Sequence, residues 1–299
     1  MRLTLEQLRV FVAVAERQHV TRAAEALHLT QSATSAAIAA LESRSGLRLF
    51  DRIGRGIALT AAGREFLPEA RAVLARAEAA ETVLADLAGL GRGTLPVHSS
   101  QTIASYWLPR HLVAFRRAHP GIAVPLAIGN TAQVAAAVGA GTAELGFVEG
   151  AVEDPLLVAR TVATDQLVIV VAPGHPWAQR PPAGVPALAA GEWVLREPGS
   201  GTRSAFEEAL RIAGLDPQAL RIALELPSNE SVRGAVEAGL GATALSASVA
   251  APSIEAGLLQ RVSLDLPGPT FQRAFQVLRH RDRAPSRAAE ALLALLPGG

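Results

Sequence analysis

Small polar residues recur in this chain where an apolar run ends and a helical period begins. Ser99-Ser100-Gln101-Thr102 and Asn130-Thr131 each follow a short apolar run, and Ser246 closes another. Glu197-Pro198-Gly199-Ser200-Gly201-Thr202-Arg203 and Ser228-Asn229-Glu230-Ser231 each precede a helical stretch. Hydroxyls and free backbone N–H groups in such places hold anions, and Gly199 and Gly201 let the backbone approach closely. Arg203 adds a charge-assisted bond. Ser100, Thr102, Asn130, Thr202 and Arg203 are therefore the expected contacts of a small anion. Each residue alone reads more simply as a helix cap. Convergence of several on one cleft is what favours a site.

A second set near the start suits nucleic acid. Gln31, Ser32 and Ser35 offer hydrogen bonds to base edges, Ala36 an apolar contact for a thymine methyl, and Thr21 lies one segment earlier. Arg52 and Arg55, in a Gly-rich turn, are placed to meet phosphates. Their simpler reading is a solvated loop pair. Residues 1–60 carry a formal charge of +3, against −2 for the remainder and +1 for the whole. Any DNA affinity must then come from a local patch.

Covalent and metal chemistry is pruned hard. The chain has no Cys, so it has no thiol nucleophile, thiolate zinc site or disulfide framework. Every basic side chain is Arg, which removes a P-loop lysine, a Schiff-base lysine and a Ser–Lys pair. Ser200 sits in G-S-G, outside a hydrolase elbow. The histidines, at 19, 28, 98, 111, 119, 175 and 280, show no metal spacing. No catalytic residue, metal ligand or cofactor is expected.

The elements that position these residues follow from periodicity. Leu3, Leu5, Leu8, Phe11, Val12 and Val14 mark a first helix from Thr4, with Gln7 completing a capping box. Thr21–His28 and Gln31–Ser43 are two short amphipathic segments joined by Leu29-Thr30, too short a link for anything but a tight bend. Ala24, Leu27, Ile38 and Leu41 meet at helical spacing, and Ala23, Ala24 and Ala33 allow a close crossing. This is a helix-turn-helix pattern, in which the second helix enters the major groove; an ordinary helical hairpin is the plain alternative. Leu47–Phe50 and Ile57–Leu59 are expected strands of a two-stranded wing around the turn at residues 51–56. Thr60 caps a long helix to about Ala88, whose apolar stripe suggests pairing with a second copy. Gly89-Leu90-Gly91-Arg92-Gly93 breaks it as a hinge.

From Leu95 onward short strands alternate with helices. The expected strands are Leu95–Ser99, Val124–Ile128, Leu145–Val148, Leu167–Ala172, Trp193–Leu195, Ile222–Leu226, Ala242–Ser246 and Phe271–Leu278. The expected helices are Ile103–Ala118, Thr131–Gly139, Arg203–Ala213, Val232–Ala238 and Ser286–Leu296. Two α/β lobes with crossovers near Thr161–Asp165 and Leu266–Thr270 fit a solute-binding architecture, with ligands beyond the strands' carboxyl ends.

The ordered pieces together resemble one family. A-x-x-L-x-x-S/T-Q-x-x-x-S-x-x-I-x-x-L-E, then G-x-x-L-F-x-R, then L-T-x-x-G, appear here as Ala24–Leu27–Thr30-Gln31, Ser35–Ile38–Leu41-Glu42, Gly46–Leu49-Phe50–Arg52 and Leu59-Thr60–Gly63. This resembles the LysR-type transcriptional regulators, and the match runs through the whole chain. The resemblance implies an α/β protein with an N-terminal winged helix-turn-helix (1–60), a linker and dimerisation helix with its hinge (61–92) and a periplasmic-binding-protein-like effector domain (93–299). Its first lobe is 93–163 plus 268–299, with terminal strand and helix returning to it, and its second is 164–267. It implies promoter DNA and a small effector as partners, self-association as a dimer or tetramer, and contact with RNA polymerase. The string Leu195–Arg203, with Gly129-Asn130-Thr131, resembles the branch governing sulfur, nitrogen or carbon assimilation, whose members sense inorganic oxyanions or short carboxylates.

Three departures from the family pattern stand out. Relatives often carry Arg or Lys and a polar residue where Ala36-Ala37 stand, and usually Val where Thr34 stands. Thr34 is expected to face inward, its hydroxyl satisfied by the carbonyl four residues back. A small residue such as Gly is common at His98; in the cleft His98 would narrow the pocket or add pH-dependent charge, and packing is the favoured reading.

The rivals are an enzyme and a small-molecule receptor built on the α/β lobes. The first lacks a recognisable constellation, and the second leaves the first 60 residues unexplained. MRLTLEQLRVF has Glu6 and Arg9 within its apolar run and no cleavage site, so a secretory signal is not expected. No apolar run of about 18 residues suggests a membrane span, and the expected compartment is the cytoplasm.

Overall fold

A computed structural model of the chain describes residues 3–53, 56–87, 92–182, 184–263 and 271–297. It divides into two compact units, Met1–Leu90 with Ala140–Thr142, and Gly91–Gly139 with Ala143–Gly299.

The first unit holds α1 (Leu5–Arg17), α2 (Val20–Ala26), α3 (Gln31–Ser45), β1 (Phe50–Ile53), β2 (Gly56–Leu59) and α4 (Ala61–Leu87). Thr4 and Gln7 form the expected capping box on α1. That helix is buried along two flanks. Leu8 and Phe11 join Leu41, Leu49 and Ala70 in one cluster, while Val10, Ala13 and Val14 join Ala23 in another. Gly46 ends α3 in the left-handed region, at φ 69°, which glycine adopts without steric cost.

The wing begins later than its apolar run suggests. The Glu42 carboxylate accepts the backbone N–H groups of Leu49, at 2.7 Å, and Phe50, at 3.1 Å. It anchors the chain leaving the helix, so β1 starts at Phe50 and not at Leu47. Thr60 donates its hydroxyl to the Arg48 carbonyl at 2.8 Å and accepts the Gly63 N–H at 3.0 Å. The wing and the start of α4 are thereby fixed together. Gly54 and Arg55, residues 89–91 of the expected hinge and the expected crossover at Leu266–Thr270 lie outside the described residues.

The second unit runs β3 (Gly93–Thr94), β4 (Val97–Ser100), α5 (Gln101–Tyr106), α6 (Leu108–Ala118), β5 (Ile122–Ala123), β6 (Leu126–Gly129), α7 (Thr131–Ala140) and β7 (Leu145–Glu149). There follow β8 (Leu157–Val171), α8 (Pro176–Gln179), α9 (Gly184–Ala190), β9 (Glu192–Arg196), α10 (Gly201–Ile212), β10 (Arg221–Leu226), α11 (Asn229–Glu237) and β11 (Ala242–Ser246). The chain continues through α12 (Ala247–Glu255), β12 (Gln260–Val262), β13 (Gln272–His280) and α13 (Arg287–Ala294). The strands order as β10-β9-β11-β8-β13-β7-β4-β6, with β12 also on β8.

Two expectations change. The single helix Ile103–Ala118 is two helices, because Pro109 opens α6 and supplies no N–H to continue α5. The expected crossover at Thr161–Asp165 is the middle of one 15-residue strand, β8. Its first half pairs with β13, from Leu157↔His280 to Gln166↔Gln272, and its second half with β11 and β12. Backbone pairing on β13 makes a continuous strand the economical link between lobes.

Each lobe is packed on both faces of its sheet. In the second lobe Leu167, Ile169 and Val171 join Trp193 and Phe206 on one side. Val168 and Val170 join Val232, Val236 and Val249 on the other. That uninterrupted apolar run is the mark of a strand buried on both faces. In the first lobe Val97, Phe115, Phe147, Val277 and Leu292 form one side, and Val134, Val138, Val148 and Leu278 the other.

Candidate functional site

In the first unit α3 presents Gln31, Ser32, Ser35 and Ala36 to solvent, all on its outer face. Thr30 caps the helix by accepting the Ala33 N–H at 3.2 Å, and its hydroxyl lies 3.0 Å from Ser32 Oγ. Thr34 is fully buried and donates its hydroxyl to the Thr30 carbonyl at 3.0 Å, as expected. Thr21 is half-buried on α2, and Arg52 is exposed on β1.

In the second unit the carboxyl ends of β4, β7 and β9, the middle of β8 and the start of β13 bring together a buried polar cluster. At its centre is Arg273, whose side chain is 2 % exposed. Its Nε donates to Asp165 Oδ2 at 2.8 Å and its Nη1 to Thr202 Oγ1 at 2.9 Å. Its Nη2 donates to Thr102 Oγ1 at 3.4 Å, and Glu149 Oε1 lies 3.5 Å from Nη1. Ser100 donates its hydroxyl to the Glu149 carboxylate, and Ser246 donates to Asp165 Oδ1 at 2.8 Å. Gly201 opens α10 against this cluster. A side chain there would meet the Glu149 carbonyl and come within 2.5 Å of Thr131 Oγ1.

A second buried guanidinium, Arg196, grips Glu197 with Nε at 2.8 Å and Nη2 at 3.0 Å. Its Nη1 donates to Asn229 Oδ1 at 2.7 Å and to Gln101 Oε1 at 3.2 Å. Gln101 Oε1 also accepts the Asn229 N–H at 2.7 Å, and Asn229 Nδ2 donates to Thr102 Oγ1 at 3.1 Å. Asn130 joins by donating Nδ2 to Glu197 Oε1 at 3.2 Å. Burial pushes the Glu197 carboxyl up, but the hydrogen bonds and charge of Arg196, with Asn130, hold it below its ordinary range.

Of the five residues singled out for an anion, Ser100, Thr102 and Thr202 meet in one network, and Asn130 reaches it through Glu197. Arg203 does not. Its guanidinium donates to Glu207 at 2.7 Å, to Glu225, and to the Arg196 carbonyl at 3.0 Å. Burial lowers the Arg203 pKa, and these two carboxylates more than reverse that. Arg203 lines a separate surface cavity of about 510 Å³ with Glu207, Arg211 and Asp216. The guanidinium groups of the cluster are Arg273 and Arg196, set against Glu149, Asp165 and Glu197. His98 lies opposite Gly146 and Ala127 in register, on the sheet face where Val134 and Val138 pack. Burial lowers its pKa.

Arg273, Glu149 and Asp165 escape a reading that follows small polar residues, whereas Asn229 lies in the stretch Ser228–Ser231 that such a reading finds. The signal of those three is a charged group at the end of, or inside, an otherwise apolar strand, where only a buried partner makes it tolerable. Among the described residues no group of His, Asp and Glu is arranged to hold a metal, and no helix is long and apolar enough to cross a membrane.

A winged helix-turn-helix unit, followed in the chain by a two-lobed α/β unit with a polar cluster at its strand ends, defines a class. It is that of DNA-binding transcriptional regulators with a small-molecule domain, and not an enzyme. The family models are specific. Residues 5–64 match the bacterial regulatory helix-turn-helix protein, lysR family, and residues 88–298 match the LysR substrate binding domain. The chain belongs to the LysR family of transcriptional regulators. It is 34% identical over 291 residues to the RuBisCO operon transcriptional regulator of Allochromatium vinosum, covering 97% of this chain and 94% of that one. Full-length CbnR, solved in complex with its target DNA, is similar at 25% identity and a TM-score of 0.71, covering 98% and 99% of the two chains. The Synechocystis PCC6803 CcmR regulatory domain, solved with 2-PG, is similar at 26% identity and a TM-score of 0.60, covering 68% of this chain and 95% of that one.

Proposed function

We propose that this regulator is switched by a small anionic effector, an inorganic oxyanion or short carboxylate, bound between its two α/β lobes. One observation carries the reading. Thr102, from the first lobe, and Thr202, from the second, place their hydroxyls on the same buried guanidinium, Arg273. A ligand seated on both hydroxyls couples the lobes, and an effector that prefers one closure shifts the population toward it. Ser100 and Asn130 belong to the same site, while Arg203 acts from behind it by holding the Arg196 carbonyl. The relative solved with 2-PG and the RuBisCO operon regulator support an effector drawn from assimilatory metabolism. Calorimetry on the full chain with sulfite, sulfate, phosphate and 2-oxoglutarate tests the proposal. Saturable heat with one of them is expected, and no heat with any counts against it.

On the DNA side, α3 enters the major groove with Gln31, Ser32, Ser35 and Ala36 toward base edges and Thr21 supporting them. Arg52 and Arg55 bind phosphate. With no basic base-reader on α3, affinity leans on these arginines and specificity on operator shape and symmetry. Replacing both by Ala should flatten the salt dependence of promoter binding by about 0.9 per lost phosphate contact in a log–log plot. An unchanged slope in a gel-shift titration refutes that role. The boundaries 1–60, 61–92 and 93–299 describe reader, linker and effector parts. The exposed Val73 and Leu84 on α4 support self-association along that helix. A dimer or tetramer that presents two readers to a promoter then engages RNA polymerase.

A further inference from the structure

The hydrogen bonds of the buried cluster give its hydroxyls fixed directions. A hydroxyl has one proton and two lone pairs. Thr102 Oγ1 accepts from Asn229 Nδ2 at 3.1 Å and from Arg273 Nη2 at 3.4 Å, so both lone pairs are engaged. Thr202 Oγ1 accepts from Arg273 Nη1 at 2.9 Å. Neither threonine, each at most 2 % exposed, gives its proton to any acceptor among the described residues. The opposite holds at Ser100, whose proton is spent on Glu149. Ser100 Oγ and the Glu149 carboxylate therefore face a ligand only as acceptors. The charges agree. Arg196 and Arg273 are set against Glu149, Asp165 and Glu197, so two guanidinium charges meet three carboxylates.

We infer that Glu149 selects the effector: the site takes a small oxyanion or carboxylate that also carries an O–H donor, and rejects the anion of like shape that has none. The acidic oxygens accept from Thr102 and Thr202, and the ligand's own O–H is given to Glu149 or Ser100. An anion with no proton to give sets bare oxygens against the Glu149 carboxylate, with no hydrogen bond to offset the repulsion. A site built around a ligand hydroxyl rejects the analogue that lacks it strongly. This rests on the proposal that an anionic effector occupies the cleft. It goes further by assigning the ligand's donor and the residue that demands it.

The test is calorimetry on the full-length protein near neutral pH with two matched pairs, hydrogen phosphate against sulfate and glycolate against acetate. The donor-bearing member of each pair is expected to bind at least about ten-fold more tightly. In Glu149→Gln, whose amide can donate, that preference is expected to shrink or reverse, with sulfate and acetate gaining. Circular dichroism checks that the variant is folded, and the wild-type ratios decide the matter if it is not. Equal or tighter binding of sulfate and acetate by the wild type overturns the inference and leaves an anionic effector standing. So does a preference that Glu149→Gln leaves unchanged. Absence of heat with all four anions, and with sulfite and 2-oxoglutarate as well, overturns the anionic effector itself and the inference with it. Heat with sulfite or 2-oxoglutarate but none with hydrogen phosphate or glycolate overturns the inference alone.

Discussion

Arg273 stands at the meeting point of two carboxylates and two hydroxyls, with its side chain almost wholly out of water. Removing one partner from such a set costs more than the pair contributes, because the remaining charges stay buried without compensation. Arg273→Met should therefore destabilise the chain by about 3–5 kcal/mol in urea unfolding. Adding Asp165→Asn should return part of that loss. A double variant no more stable than the single would show that Asp165 is not what Arg273 offsets. Glu197 gives a complementary test in acid. Its carboxyl is held below its ordinary range in the fold, so its contribution is complete above the unfolded value near 4.5 and is lost as pH falls through the lower folded value. Glu197→Gln should flatten the fall of thermal midpoint below about pH 4.5 and leave the slope at neutral pH unchanged. An acid limb as steep as in the parent protein would remove Glu197 from that account.

The elements are positioned by a few close approaches that admit little alteration. Gly63, in the first turn of α4, is packed so tightly that an added Cβ would run into the Leu49 carbonyl and lie 2.8 Å from Leu59 Cδ2. Gly63→Ala must push the wing and α4 apart, an overpacking cost of about 1–3 kcal/mol. The expected outcome is a lowered thermal midpoint together with weakened promoter retardation, and a variant with wild-type values of both would contradict the packing. The motif Leu59-Thr60–Gly63 was legible in the sequence, and the structure supplies its reason. The helix-turn-helix was legible for the same kind of cause, since period and cap residues act locally: Thr4, Thr30 and Thr60 each cap the helix that follows them. The late start of β1 was not, because it depends on Glu42 reaching seven and eight residues along the chain. The continuous β8 was hidden likewise, since its middle is held by pairing with β13, more than a hundred residues away. At the buried polar cluster, hydroxyls before helices could be found from spacing. Which arginine serves them could not, since Arg203 and Arg273 differ only in what the fold brings beside each.

At the scale of the α/β unit, the cluster is also the fastening between its lobes. Gln101, in the first lobe, accepts both the backbone N–H of Asn229 and a guanidinium N–H of Arg196, in the second. Asn130 bonds Glu197, and the Ala132 N–H bonds the Gly199 carbonyl at 3.2 Å, on another side of the same junction. Any opening of the lobes must break these bonds together, and each net hydrogen bond to a charged group is worth about 1.5–3 kcal/mol. Gln101 touches the junction from the first lobe without belonging to either sheet, so its side chain can be shortened while the cores stay intact. Gln101→Ala should free the Asn229 amide and raise hydrogen exchange across residues 228–232 by about ten-fold, the equivalent of roughly 1.4 kcal/mol. Exchange in the core strand β11 should be unchanged. If closure of the lobes is what an effector stabilises, the same variant should need more effector to alter promoter retardation, because the closed form starts less populated. Faster exchange at 228–232 with an unaltered effector response would separate the two: the fastening would be real, and the switch would have to lie elsewhere than in lobe closure.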